Sequence, residues 1–108
     1  MINRSRGRIV ADILEAARKE GEGGALSTEI MYGAKLSFTQ VKIYIPSIVE
    51  GPRMLDIIPV NNRRGAEKAY RINDRGRRYL NDSRFVSEAV EEVEKVMESI
   101  KKSKLVKT

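Results

Sequence analysis

A well-defined helix start near the middle of the chain is the feature that most constrains the fold. Ser37 and Gln40, three positions apart, form a capping box in which each side chain satisfies a free backbone N–H of the other residue. Leu36 and Val41 have the spacing of a hydrophobic staple across the same start. The sequence therefore predicts a helix that begins directly after Ser37.

One stripe of this helix is apolar, and the opposite side is not. The stripe recurs at i, i+3, i+4, i+7 and i+8: Val41, Tyr44, Ile45, Ile48 and Val49. On the opposite side lie Thr39, Ile43, Pro46 and Ser47, flanked by Gln40 and Lys42. Gly51 and Pro52 end the helix, and Pro46 is expected to bend it because proline removes a backbone hydrogen bond.

A shorter helix precedes this one, with Ser27 or Thr28 as its cap and Gly33 marking the turn between the two. Two short helices with a tight turn make a helix-turn-helix, in which the exposed face of the second helix meets the edges of DNA bases. The alternative is a surface helix with no ligand. A longer first helix over about residues 8–20 supplies an inner stripe of Ile9, Val10, Ile13, Leu14 and Ala17.

Two β-strand patterns follow the second helix, over residues 54–58 and 69–72. A β-hairpin directly after a recognition helix is a wing. Its turn-rich tip carries three basic residues: Arg63, Arg64 and Lys68. These cations would neutralise phosphates or enter a minor groove, although a hairpin that merely happens to be basic remains an alternative.

A long helical pattern begins after Asn73, its predicted cap. An unbroken helix from there to Lys104 would be roughly 48 Å long, so part of it should project from the domain. Residues 81–83 are poor helix formers and are the expected place for a kink. We predict a DNA-binding domain over residues 1–80 and a dimerisation helix over residues 81–108.

Within this helix, apolar residues form a heptad seam that indicates a partner helix. The predicted dimer interface consists of Val86, Ala89, Val90, Val93, Val96, Met97 and Ile100. The sequence allows antiparallel or parallel pairing, and the flanking charges do not choose between them. The alternative is a helix that folds back on its own domain.

Charge and composition narrow the partner. Lys and Arg number 21 against 15 Asp and Glu, a net charge of +6. Residues 1–84 carry all of this excess, because residues 85–108 hold equal numbers of basic and acidic side chains. An excess of this kind favours an anionic partner, and nucleic acid is favoured over membrane because no segment has the uninterrupted apolar length of a membrane span.

Several functions are not expected. The 108 residues include no cysteine and no histidine, which removes disulfides, thiolate or imidazole metal sites and histidine general bases. No paired carboxylate, nucleophile or cofactor motif stands out, so we expect no enzyme activity, no metal, no cofactor and no small-molecule substrate. The basic start of the chain is not followed by a long apolar region, and cytoplasmic residence is expected.

Three segments resemble one known family. Residues 28–40, TEIMYGAKLSFTQ, with Tyr44 beyond them, resemble the pattern T-x-I-M-Y-x-A-x-L-S-[YF]-x-Q-x-x-x-Y of the archaeal winged-helix DNA-binding proteins of the Sulfolobus 10a family. Residues 9–17 and 70–80 resemble that family's first helix and post-wing segment. The resemblance implies an α+β fold, a winged helix-turn-helix whose long C-terminal helix forms an antiparallel coiled-coil homodimer, and chromatin-type, nucleoid-associated DNA binding.

The first hypothesis is therefore a dimeric double-stranded DNA-binding protein, architectural or regulatory, with modest sequence specificity. The residues predicted to face the major groove are Thr39, Gln40, Lys42, Ile43 and Ser47. The wing cations Arg63, Arg64 and Lys68 would grip the adjacent backbone or minor groove. Further phosphate contacts are predicted for Arg4, Arg6, Arg8 and Lys35. The second hypothesis is a winged-helix protein-interaction module that does not bind DNA.

Overall fold

The computed structural model describes residues 4–63 and 66–106, with side chains described over residues 4–60 and 68–103. Within these residues, five α-helices and a two-stranded antiparallel sheet make an α+β fold, as predicted. The elements are α1 (Arg6–Lys19), α2 (Ser27–Ala34), α3 (Phe38–Glu50), β1 (Leu55–Arg63), β2 (Ala66–Ile72), α4 (Asp74–Asn81) and α5 (Ser83–Val106).

Helix α1 lies at the centre of the core. Its predicted inner stripe is confirmed, because all five residues are buried, together with Ala16. The backbones of α1 and α2 approach so closely that a Cβ added at Gly33 would lie 2.9 Å from the Cβ of Ala16. Gly33 is thus a close-packing residue inside α2, and the prediction that it marks the turn is wrong. The left-handed turn conformation is taken by Lys35, at a φ of 56°.

The predicted start of α3 is confirmed atom by atom. Ser37 Oγ accepts from the backbone N–H of Gln40 at 3.1 Å, and Gln40 Oε1 accepts from the backbone N–H of Ser37 at 3.0 Å. The helix continues through Pro46 to Glu50. At the start of α2, Glu29 Oε1 accepts from the backbone N–H of Leu26, which is the cap residue in place of the predicted Ser27 or Thr28.

The wing is longer than the sequence indicated. Strands β1 and β2 pair from Leu55 opposite Ile72 to Pro59 opposite Lys68, and the register shifts before Arg63 pairs with Ala66. Ala25 forms an isolated β-bridge with Tyr70 of β2, in which the two residues exchange two backbone hydrogen bonds of 2.8 Å. The wing is thereby tied to the segment that leads into α2.

The C-terminal segment is two helices, because the chain breaks at Asp82 where a kink was predicted. Asn73 caps α4 as expected, its Oδ1 accepting from the backbone N–H of Gly76 at 3.0 Å. Helix α5 packs against α1 and α3. A Cβ at Gly51, at the end of α3, would lie 2.8 Å from the carbonyl oxygen of Glu92, so a residue without a side chain lets the two backbones approach.

This packing corrects the prediction of a projecting helix. Ala89, Val93 and Met97 of the predicted dimer seam are buried in the core of the chain itself, together with Phe85. The principal extents are 40, 33 and 29 Å. The physical reason is that the break at Asp82 lets α5 turn back and bury its apolar stripe on its own domain, which was the alternative that the sequence left open.

Tyr79 of α4 joins the C-terminal helices to the start of α1. Its phenol donates to the carbonyl oxygen of Gly7 at 2.7 Å, and the residue is 3% exposed. Burial raises the pKa of Tyr79 to about 12, because ionisation would place a negative charge where water is excluded.

Candidate nucleic-acid interface

The N-terminal half of α3 presents the largest group of predicted contact residues to solvent. Thr39, Gln40 and Lys42 are exposed, and Lys35 is exposed in the turn just before the helix. Lys42 Nζ lies 5.1 Å from the centre of the Phe38 ring, a distance at which a cation is attracted to an aromatic face. The structure therefore brings two cations and a hydroxyl together at the end of α3 that also carries the positive pole of the helix.

A groove runs beside Lys42 between α3, the start of α2 and β2. Its volume is about 290 Å³. Its lining is mostly apolar and consists of Ser27, Phe38, Val41, Lys42, Ile45, Pro46 and Tyr70. The groove separates the outer face of α3 from the wing, so a ligand lying across both would cover it.

Two residues predicted to face the major groove are not on the open face of α3. Ser47 is fully buried, and its hydroxyl donates to the carbonyl oxygen of Ile43 within the helix at 2.7 Å. Ile43 is half-buried and packs against the core. The prediction that Ser47 is exposed is wrong, because α5 closes on this side of α3 and the internal hydrogen bond lets a hydroxyl be buried.

Gln40 is exposed, but its side-chain oxygen is already used in a hydrogen bond within the protein. Its Oε1 accepts the hydrogen bond from Ser37 that completes the capping box. An amide that reads adenine uses both its oxygen and its nitrogen, so this side chain would have to leave the cap to make that contact.

Arg4 is held by the protein and is not a free cation. Its guanidinium donates to the carboxylate of Asp12 at 2.8 Å and to the carbonyl oxygens of Ala34 and Lys35 at 2.7 and 2.9 Å. Carbonyls at a helix C-terminus carry partial negative charge, so Arg4 stabilises the end of α2 and the turn into α3. The prediction of a phosphate contact is replaced by this structural role.

The other N-terminal arginines also form ion pairs. Arg6 Nη1 lies 3.4 Å from Glu94 Oε2 and links α1 to α5. Arg8 Nε lies 3.2 Å from Asp12 Oδ1, but its side chain is 70% exposed. Because an exposed pair of this kind is weak, Arg8 keeps the capacity to meet a phosphate that the sequence predicted.

Of the three wing cations, Lys68 is described and is exposed in β2, opposite Pro59. Arg64 and the side chain of Arg63 lie outside the described residues, so their predicted contacts stay predictions. Lys68 lies four residues after Arg64, on a strand that begins at Ala66, and it is the first residue of that strand whose side chain is described.

The side of the domain formed by α1 and α2 has the opposite charge. A shallow groove there is lined by four acidic residues and one basic residue: Asp12, Glu15, Glu20, Glu29 and Lys19, with Ala16 and Gly33 between them. Carboxylates repel phosphate, so the groove itself is unsuited to nucleic acid, although Arg8 and Arg18, which pair with Asp12 and Glu15 of its lining, keep exposed side chains on α1. The charge of the chain is thus divided between faces, and the basic end of α3 is separate from the acidic groove.

Two exposed aromatic residues were not singled out from the sequence. Tyr32 of α2 is 77% exposed and Phe38 of α3 is 65% exposed. Phe38 precedes Val41 by three positions, so periodicity alone would place it on the buried stripe. The structure shows that the first turn of α3 extends beyond the edge of the core.

These elements define a winged helix-turn-helix protein. The recognition helix exposes its basic end, a short helix comes before it, and a β-hairpin follows it. A winged helix-turn-helix family model matches residues 3–91, and the chain belongs to this family. Such domains typically bind DNA and are typically not enzymes. No curated protein and no solved structure matches the chain.

The family match is to this broad class, and the narrower resemblance to the Sulfolobus 10a family depends on the sequence motifs alone. Along the described residues, no helix combines the length and the apolar character needed to cross a membrane. The same residues contain no cluster of acidic, cysteine or histidine side chains arranged to hold a metal ion.

Proposed function

We propose that this protein binds double-stranded DNA through the exposed N-terminal half of α3 and the wing. The observation that carries the proposal is the outward position of Thr39 and Lys42 on the recognition helix of a winged helix-turn-helix fold, with Lys35 exposed in the turn just before that helix. Lys68 would contact the backbone beside the groove that α3 enters, and Arg63 and Arg64 belong to the same proposed wing contact.

Modest sequence specificity is part of this proposal. Among the predicted groove residues that remain exposed, Lys42 is the one with a free charged group, and the oxygen of Gln40 is used in the cap. Strong base discrimination needs bidentate pairs, so an interface of this kind gains most of its affinity from phosphates. An architectural, chromatin-type role in the nucleoid is favoured over a regulator with a strict operator, in agreement with the resemblance to the Sulfolobus 10a family.

We extend the proposal to a homodimer with a changed interface. Since Ala89, Val93 and Met97 are buried within one chain, the contact would use the half-buried Val86, Val90, Val96 and Ile100. Sedimentation equilibrium over a wide concentration range tests this part. A monomer at every concentration would remove the dimer and leave the proposed DNA binding intact.

The test of DNA binding is the salt dependence of affinity for a duplex of random sequence. Log affinity should fall linearly with log salt, and Lys42→Ala should make the slope shallower by about one unit, as loss of one phosphate contact does. The matched control is Lys19→Ala, which removes the same charge from the acidic groove of α1 and α2. No binding at low salt, or equal effects of the two substitutions, would contradict the proposal.

A protein-interaction module is the second candidate, and the exposed rings of Tyr32 and Phe38 favour it, since aromatic side chains are enriched at protein interfaces. The two functions differ in one measurement. An interaction module would not bind duplex DNA at low salt, whereas the proposed DNA-binding protein does.

A further inference from the structure

A second group of cations lies where α4 meets α5. We name it the arginine corner and define it as Arg75, Arg78 and Arg84 around the ring of Phe85. The guanidinium carbons of Arg78 and Arg75 lie 4.6 and 5.8 Å from the centre of that ring. Arg75 is further held by a hydrogen bond of 2.7 Å from its Nε to the carbonyl oxygen of Pro52.

One carboxylate organises this corner. Asp82 accepts from Arg84 Nε at 3.1 Å and lies 3.9 Å from Arg78 Nε. Hydrogen bonds from the Arg84 side chain and backbone lower the pKa of Asp82, with a smaller contribution from the charge of Arg78. Among the described side chains, Asp82 is the carboxylate that pairs with both Arg78 and Arg84. The corner therefore holds three guanidinium groups and one carboxylate, which leaves two positive charges in excess.

The guanidinium groups are available to a ligand. The side chains of Arg78 and Arg84 are 63% and 91% exposed. Stacking on Phe85 and pairing with Asp82 restrict their conformations before any ligand arrives, which lowers the entropy cost of a contact. The sequence showed these arginines at the start of a helix, and the winged-helix contacts proposed above do not use them.

The corner lies on a different side of α3 from the proposed DNA-binding face. Ser47 and Gly51 are on the side of α3 that faces α5. Ser47 comes five residues after Lys42, and Gly51 comes five residues after Pro46. A step of five residues turns about 140° around the helix axis, so the α5 side and the Lys42 side point in different directions. Arg75 contacts Pro52, two residues beyond the end of α3, and that end lies about 18 Å along the helix axis from Phe38. Because DNA is stiff, with a persistence length of about 50 nm, a duplex on the Lys42 face would not bend around to this corner.

The chemistry of the corner suits a phosphate backbone better than a protein surface. Phe85 is 7% exposed, so its ring supports the guanidinium groups and offers almost no apolar area of its own. A protein partner would need such an area as the centre of its interface. Planar guanidinium forks, by contrast, match the oxygens of a phosphate.

We propose that the arginine corner binds the phosphate backbone of a second DNA duplex, so that one chain bridges two duplexes. The inference rests on the proposed function, because it takes DNA binding by α3 and the wing as given. Bridging by single chains would condense DNA without requiring a dimer, which fits an architectural protein with modest sequence specificity.

The experiment compares binding of one duplex with capture of a second. Fluorescence anisotropy with a short labelled duplex measures the first, and a bead-bound duplex that retains the protein and a free fluorescent duplex measures the second. The test variant is Arg78→Gln with Arg84→Gln, which spares Arg75 because that residue holds Pro52. The matched control is Lys101→Gln with Lys102→Gln, two exposed cations elsewhere on α5.

The variant with Arg78→Gln and Arg84→Gln, called the Gln variant below, should reduce capture of the second duplex on the order of tenfold, as expected when two phosphate contacts are lost. It should change the affinity for one duplex less than about twofold. The control pair should leave both measurements unchanged. A third variant, Arg78→Lys with Arg84→Lys, keeps the charges but loses the guanidinium forks, and should retain more of the capture than the Gln variant and less than the wild type. This result would show that charge, and not a failure to fold, explains the loss.

Three outcomes would overturn the inference. The first is that the wild-type protein binds one duplex without retaining a second. The second is that the Gln variant bridges as well as the wild type. The third is that the Gln variant loses one-duplex affinity in parallel with bridging. The second outcome would assign bridging to the two heads of a dimer. If no duplex is bound in the anisotropy measurement, the proposed function itself fails, which is a separate result from loss of bridging alone.

Discussion

The burial of Val93 gives the sharpest test of how α5 is used. Val93→Ala removes two carbon groups from a side chain that is 0% exposed. Their transfer to water costs about 1.6 kcal/mol, and a residual cavity of some 40 Å³ adds about 1 kcal/mol. The free energy of unfolding should therefore fall by about 2–3 kcal/mol, measured by urea denaturation followed by circular dichroism.

The matched control is Val96→Ala, which makes the same chemical change at a half-buried position one turn further along α5. It should cost less than about 1 kcal/mol, because less apolar area is returned to water. The cost of Val93→Ala should be independent of protein concentration, since the contacts of Val93 lie within one chain, whereas the proposed dimer contact of Val96 would make the cost of Val96→Ala depend on concentration. If Val93 acted only in a dimer seam, its cost would depend on concentration, and a change within about 0.5 kcal/mol of wild type would refute the packing argument.

Three further predictions concern the helix ends and the buried phenol. Ser37→Ala should lower the free energy of unfolding by about 1 kcal/mol through loss of the α3 cap. The control, Thr39→Ala at an exposed position, should not lower it. Equal losses in thermal unfolding of the two variants would show that the cap contributes nothing. Arg4→Ala should lower the melting temperature, because it frees the carbonyls at the end of α2; a variant that only weakens DNA binding would contradict this role. Burial raises the pKa of Tyr79 above its ordinary value of 10.0 to about 12, so the stability that its neutral form contributes is complete below pH 10 and is lost as the pH rises towards 12. Tyr79→Phe should remove this alkaline loss, and an ultraviolet titration in which all tyrosines ionise together near pH 10 would show that burial has no such effect.

Features that depend on neighbours in the chain were predictable from the sequence. The capping box of Ser37 and Gln40, the cap at Asn73 and the break at Asp82 all involve residues within a few positions of each other. Their energies come from hydrogen bonds between side chain and adjacent backbone, which need no knowledge of the rest of the fold. The inner stripe of α1 was also predictable, because a 3.6-residue period places its members on one face.

The candidate site was predicted less well, because its exposure depends on distant segments. Ser47 has the composition of an outer-face residue, yet α5 covers its side of α3. Arg4 appeared to be a free cation, yet it satisfies carbonyls thirty residues away. Phe38 has the spacing of a core residue, yet it is 65% exposed. In each case the spacing of neighbouring residues does not reveal how far the folded chain exposes or engages the side chain.

The sequence by itself determined that this chain is a basic winged helix-turn-helix protein, because the periodicities, caps and charge excess that define such a domain are local or compositional. Only the tertiary structure decided which cations are free and where α5 lies. The seam of α5 has the same apolar spacing whether it meets a partner or its own domain. The choice depends on whether the break at Asp82 lets it return to α1 and α3, and burying Val93 there satisfies the seam within one chain.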